Sequence, residues 1–146
     1  MNPTEHGTAV AIGDHGVLLT GPSGVGKSDL ALRLIDRGAL LVADDRVLVG
    51  AGLTLAPPDA LAGKLEIRGI GVMTVPYCQS AALRLLVELG GEGERLPASW
   101  PLVDFAGWSL PCLRIDGFSP SAPVRIEYAL RSIIDSGLLP TRLSAN

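Results

Sequence analysis

Cysteine is nearly missing from this chain. Cys78 and Cys112 stand in unrelated contexts among 146 residues, without CxxC spacing. That argues against a disulfide framework or a cysteine-based metal site, and the thiols are expected to be buried in a protein of a reducing compartment. No apolar run approaches the roughly 20 residues needed to cross a bilayer. The start, MNPTEHGTAV, has neither the basic residues nor the apolar stretch of a secretory signal. Positive charge is scarce as well. A net charge of −3 and a pI near 5.3 argue against nucleic acid as a partner. No repeat, low-complexity tract or interdomain linker is evident. With 47% hydrophobic and 18% charged residues, 146 positions suffice for one domain with a proper core and not for two. The expectation is a single cytoplasmic domain over 1–146, with no membrane partner.

What is present reads as short strands around one prominent loop. TAVAI (8–12) and VLLT (17–20) flank GDHG and predict a hairpin. KSDLALRLIDRG predicts a helix with Leu30, Leu34 and Ile35 on one face and Gly38 as its stop. ALLVA (39–43) is a buried strand that ends at Asp44 and Asp45. RVLV and LTLA around Gly50-Ala51-Gly52 form a second hairpin, and LRLLVEL (83–89) a further strand before GGEGE. Ser121 and Pro123 open a last helix with Val124, Tyr128, Ile133 and Ile134 as its stripe and Gly137 as its end. Hairpins bracketing one strand–loop–helix–strand unit predict an α/β fold whose mixed sheet is partly antiparallel.

The loop itself is Gly21-Pro22-Ser23-Gly24-Val25-Gly26-Lys27-Ser28, a complete G-x-x-x-x-G-K-[ST] between a predicted strand and a predicted helix. Its glycines let the backbone curl until N–H groups converge on phosphate oxygens, and the helix N-terminus adds partial positive charge. Lys27, one of only two lysines, can reach the β- and γ-phosphates, and the Ser28 hydroxyl can join a Mg²⁺ shell. The loop is expected to bind nucleotide.

Asp44 and Asp45 follow one helix and one strand later. Adjacent carboxylates at a strand end diverge, so one can serve the metal while its neighbour faces an incoming hydroxyl. A carboxylate near a γ-phosphate can accept the proton of an attacking alcohol. In KLEIRGIGVMTV (64–75), Glu66 and Arg68 precede Gly69 and Gly71. That stretch reads equally as a surface hairpin and as a phosphate and metal element, Glu66 on the cation and Arg68 on an anion. WPLVDFAGW (100–108) holds both tryptophans and reads either as a docking or oligomer patch or as core packing.

Taken together, the run from His6-Gly7 through GVLLTGPSGVGKSDLALRLIDRGALLVADD, with LEIRGIGV, resembles the catalytic domain of HPr kinase/phosphorylase. LEIRGIG is close to that family's signature and far more specific than the glycine-rich loop. The likeness runs from His6 to about Val75 and more loosely to the last helix. It implies a P-loop kinase domain of the phosphoenolpyruvate-carboxykinase-like kind, using ATP and Mg²⁺ to phosphorylate a serine of an HPr-type phosphocarrier. Many members also reverse this with inorganic phosphate, releasing pyrophosphate. By the resemblance, Gly21 to Ser28 bind ATP, and Ser28, Glu66 and Asp44 serve the metal. Asp45 is the general base, His6 the active-site histidine that positions it, and Arg95 an arginine for phosphate or the protein substrate. A homo-oligomer, hexameric in the family, is also implied. The chain begins just ahead of His6 and so resembles the short form without the family's N-terminal domain. Where many members carry an arginine-bearing loop linked to dephosphorylation, DGFSPS (116–121) has no basic residue, so the kinase direction is expected first. The rivals are a small-molecule P-loop kinase and a non-catalytic ATP-sensing subunit.

Overall fold

The structure is a computed structural model that describes residues 4–144. Its strands are β1 (Thr4–His6), β2 (Thr8–Ile12), β3 (His15–Thr20), β4 (Leu40–Ala43), β5 (Arg46–Gly50), β6 (Thr54–Ala56), β7 (Lys64–Ile67), β8 (Gly71–Thr74), β9 (Ala81–Leu89), β10 (Leu102–Phe105), β11 (Trp108–Ile115) and β12 (Thr141–Arg142). Two α-helices, α1 (Lys27–Asp36) and α2 (Ala122–Asp135), and short 3-10 turns at Ala51–Leu53 and Asp59–Leu61 complete the described residues. Ten of these strands form one mixed sheet, in the order β1-β5-β6-β9-β3-β2-β4, with β11 joining β9 and carrying β10 and β12. Only β3/β9 and β9/β11 are parallel pairs among the described strands. The expected mixture of parallel and antiparallel pairing is therefore present. The unit β3–α1–β4 has an unusual layout, because β2 lies between its two strands and pairs antiparallel with both.

Strand alternation divides the core between the two faces of the sheet. Val17 and Leu19 of β3, with Leu85, Val87 and Leu89 of β9, pack under the helices against Leu30, Leu34, Ile126 and Ile133. Leu18, Leu83, Leu86 and Leu110 face the other way, with Val47, Val49 and Leu55. Leu83 and Leu85 would share a face in a regular strand. The pairing skips Arg84 where Gly16 opposes Leu83 and Val17 opposes Leu85, and this bulge turns them to opposite sides.

Two sequence expectations need correction. On α2 the buried residues are Ala122, Pro123, Ile126, Ala129, Leu130 and Ile133, whereas Tyr128 is 61% exposed. The stripe is thus rotated toward its smaller residues, where alanine lets the helix approach the sheet closely. Of the thiols, Cys112 is buried but Cys78 only half so, and both are free. Burial first, then the Glu88 carboxylate that accepts from its Sγ at 3.0 Å, pushes the Cys112 thiol up to about 12.

In segment 100–108 both tryptophans pack against the cores, while Leu102 between them is 55% exposed. Trp100 packs on the helix-side core and donates to Ser132 Oγ at 3.3 Å. Trp108 packs on the other core with the Arg142 guanidinium 5.7 Å from its ring centre. No helix among the described residues is long and apolar enough to cross a membrane.

Candidate active site

β3 delivers the chain into the loop Gly21–Gly26, and α1 starts at Lys27. Gly24 and Gly26 hold φ of 88° and 87°, a region that side-chain-bearing residues avoid. Gly26 caps α1 without any side-chain hydrogen bond, so no side chain competes for the first N–H groups of the helix. Lys27 Nζ donates to the carbonyls of Gly21 and Pro22 at 2.7 and 3.1 Å, which keeps the ammonium over the loop. A cleft of about 860 Å³ lies between the loop and the β7–β8 hairpin, with Lys27, Ser28, Glu66 and Arg68 in its lining. The 64–75 segment forms an antiparallel hairpin, and residues 66–71 of it make one wall of this cleft.

The acid pair diverges as strand geometry requires. Asp44 turns inward, where its Oδ1 accepts from Ser28 Oγ at 2.7 Å and from Thr8 Oγ1 at 3.0 Å, and its Oδ2 from the Glu66 N–H at 3.3 Å. Asp45 turns outward with φ of 70°, a left-handed conformation uncommon for a residue with a side chain. Its carbonyl accepts from Gly7 N–H at 3.1 Å. Pairing of β1 with β5 sets His6 opposite Arg46 and therefore beside Asp45. His6 Nδ1 stands 3.9 Å from Asp45 Oδ1, with side chains 80% and 71% exposed. That is too long for a hydrogen bond.

Of the residues named from sequence, Lys27, Ser28 and Glu66 line the cleft, Asp44 is bonded to Ser28 and to the Glu66 N–H, and Asp45 with His6 lies next to Asp44 outside the lining. Arg95 is not brought into it. It sits on the exposed 90–99 stretch and lines neither the cleft nor the smaller pocket behind the loop. Two residues were missed. Thr8 is the one buried polar residue among the described residues, at 1% exposure, donating to Asp44 and lying 3.5 Å from the Asp45 nitrogen. The available signal was a hydroxyl heading an otherwise apolar strand. Phe118 borders both the cleft and the pocket behind it. DGFSPS was read only for its lack of a cation, and its aromatic residue went unweighed.

The family model described as HPr Serine kinase C-terminal domain matches residues 2–82. The chain belongs to this family. HPr kinase/phosphorylase of Caldicellulosiruptor bescii is 34% identical over 95% of this chain and 48% of its own length. The protein of that name from Burkholderia lata is 37% identical over 90% and 46%. The chain thus spans about half the length of these curated relatives. Among solved structures, the Hpr(Ser) kinase/phosphatase from Coxiella burnetii superposes with a TM-score of 0.78 at 27% identity, covering 92% of each chain.

Proposed function

We propose that this chain is an ATP- and Mg²⁺-dependent kinase of the HPr serine kinase family that phosphorylates a serine on an HPr-type phosphocarrier. The observation that carries the reading is the divergence of the acids beside the phosphate loop. Asp44 is held inward by Ser28 and Thr8, and Asp45 is exposed next to His6. In the proposed reaction the loop N–H groups and Lys27 hold the nucleotide's phosphates. The serine Oγ–P bond forms as the bond from the γ-phosphorus to the β,γ-bridging oxygen breaks, ADP leaves, and the serine proton passes to the Asp45 carboxylate. His6, 3.9 Å from that carboxylate, is assigned to positioning it.

Ser28, Asp44 and Glu66 supply hard oxygen donors at one end of the cleft. That suits Mg²⁺, which takes one or two carboxylates plus substrate phosphates and does not need a closed protein cage. When bound, the ion neutralises charge on the phosphoryl oxygens. Loop 116–121 offers Phe118 to the phosphate loop and no cation, which favours transfer to serine over phosphate-dependent reversal. A single domain, cytoplasmic location and hexameric assembly belong to the same proposal.

The test is to incubate the protein with Mg-ATP and an HPr-type carrier and locate added phosphate by mass spectrometry. The expected result is one modified carrier serine, with no modification when that serine is alanine. Asp45→Asn is expected to retain ATP binding while transfer falls by about 10²- to 10⁴-fold. Transfer at the wild-type rate would remove Asp45 from the base role. Binding of ATP with no carrier modified would favour the ATP-sensing reading.

A further inference from the structure

The mechanism above leaves one well-held side chain unused. Phe118 is 60% exposed at the mouth of the cleft, although a phenyl ring left in water forgoes a sizeable burial gain. Its position is fixed. The ring lies against the phosphate loop so closely that a Cβ built on Gly26 would come within 2.8 Å of it. Phe118 N–H donates to Asp116 Oδ1 at 3.0 Å, and Asp116 N–H to Glu92 Oε2 at 2.9 Å. Glu92 is in turn bridged by Arg125 of α2 at 2.7 and 3.2 Å. From α1, Arg33 donates to the carbonyls of Gly117 and Ser119. An exposed aromatic ring held on a short tether by two helices and a loop is built to meet something.

The sheet order says which end of a nucleotide it meets. Across β4-β2-β3-β9-β11, Asp44 follows β4, the phosphate loop follows β3 and Phe118 follows β11. The strand order thus puts acid and ring on opposite flanks of the start of α1, Asp44 bonded to Ser28 at 2.7 Å on the β4 side and Phe118 against Gly26 on the β11 side. A nucleotide whose transferred phosphate faces Ser28 and Asp45 must run its nucleoside the other way, toward Phe118. Leu32 and Ile70 line the same cleft and add apolar surface.

We propose that Phe118 is the nucleobase platform of this site, carrying the base by stacking on its ring beside the phosphate loop. The proposal rests on the nucleotide-binding reading above, and its test separates the two. Binding of ADP and of inorganic tripolyphosphate, which has phosphates and no base, is measured by calorimetry for the wild type and for Phe118→Ala, Phe118→Leu and Phe118→Tyr. Alanine and leucine are expected to weaken ADP by about five- to a hundredfold, the span of one base–aromatic stack. Tripolyphosphate is expected to stay within about twofold, and tyrosine to keep ADP affinity, since it keeps the ring. Leucine guards against collapse of the loop, because it retains apolar contact with Gly26 and lacks only the π-face. Parallel loss of both ligands would make Phe118 a prop for the loop and overturn the proposal, as would unchanged ADP affinity. Failure of the wild type to bind either ligand would sink the nucleotide-site reading itself, and this proposal with it.

Discussion

The two flanks of the phosphate loop are held by different physics. On the β4 flank the constraint comes from within. A buried threonine, a serine hydroxyl and a backbone N–H converge on one half-buried carboxylate, and its neighbour sits in a left-handed conformation. On the β11 flank an exposed Glu92–Arg125 ion pair ties the loop to α2, and part-buried bonds from Arg33 to two carbonyls tie it to α1. Part-buried hydrogen bonds shared on one carboxylate are costly to leave half-made, whereas an exposed ion pair contributes little. The flank assigned to chemistry is therefore the stiff one, and the flank assigned to the base is held by several weak ties that tolerate adjustment.

Removing one interior bond is the strongest way to test that contrast. Thr8→Val keeps the shape and deletes the hydroxyl, so Asp44 loses a donor and the Asp45 N–H its nearby oxygen. A loss of about 1–3 kcal/mol in stability is expected. With Asp44 in its proposed metal role, a fall in kcat of roughly tenfold or more should accompany it. Thr8→Ser, which restores the hydroxyl, should recover most of the rate while remaining slightly less stable for the missing methyl. A valine variant as active and as stable as wild type would show that the β4 flank is no stiffer than the other.

Strain at Asp45 gives a smaller effect on the same flank. At φ of 70° a Cβ is disfavoured by about 1 kcal/mol or more. Asp45→Gly should therefore melt a few degrees above Asp45→Ala, with both inactive in transfer. Equal melting temperatures would mean that the backbone at this position is not held against its preference.

These flanks also differ in how far the sequence discloses them. The β4 flank was legible because its parts are local or motif-bound. Lys27 and Ser28 lie in one pattern, Asp44 and Asp45 end an apolar strand, and Glu66 with Arg68 sits beside marker glycines. What escaped was Thr8, whose role depends on β2 running between β3 and β4, a pairing fixed by the whole sheet and not by spacing. The β11 flank was nearly invisible for the same reason. Phe118 reaches the loop only because β11 pairs with β9, and β11 itself, interrupted by Pro111, does not read as a long strand. On α2, Tyr128 has the right spacing and the wrong side, because the alanines set how closely the helix approaches the sheet. Periodicity sees size and polarity along one element. It does not see which neighbour that element will meet.

The smallest expected effect concerns the surface flank. Two bonds from Arg125, and then the Asp116 N–H, hold the Glu92 carboxyl down to about 2, against an ordinary value of 4.5. A carboxyl depressed in the folded state stabilises above its unfolded value and loses that contribution as pH falls toward the folded one. The Glu92 contribution should thus be complete above about pH 4.5 and disappear toward pH 2. Glu92 is about half exposed, so solvent screening reduces it to the range of surface pairs. Thermal melts of wild type and Glu92→Gln should differ by at most a few degrees at pH 7, and the gap should close as pH is lowered from 4.5 toward 2. High salt should narrow it at pH 7 as well, because exposed charges are screened within about 10 Å at 0.1 M ionic strength. A gap as large as that of Thr8→Val, or one insensitive to salt, would mean that the β11 flank is held as firmly as the acid flank and that the proposed division between a stiff chemical side and an adjustable base side is wrong.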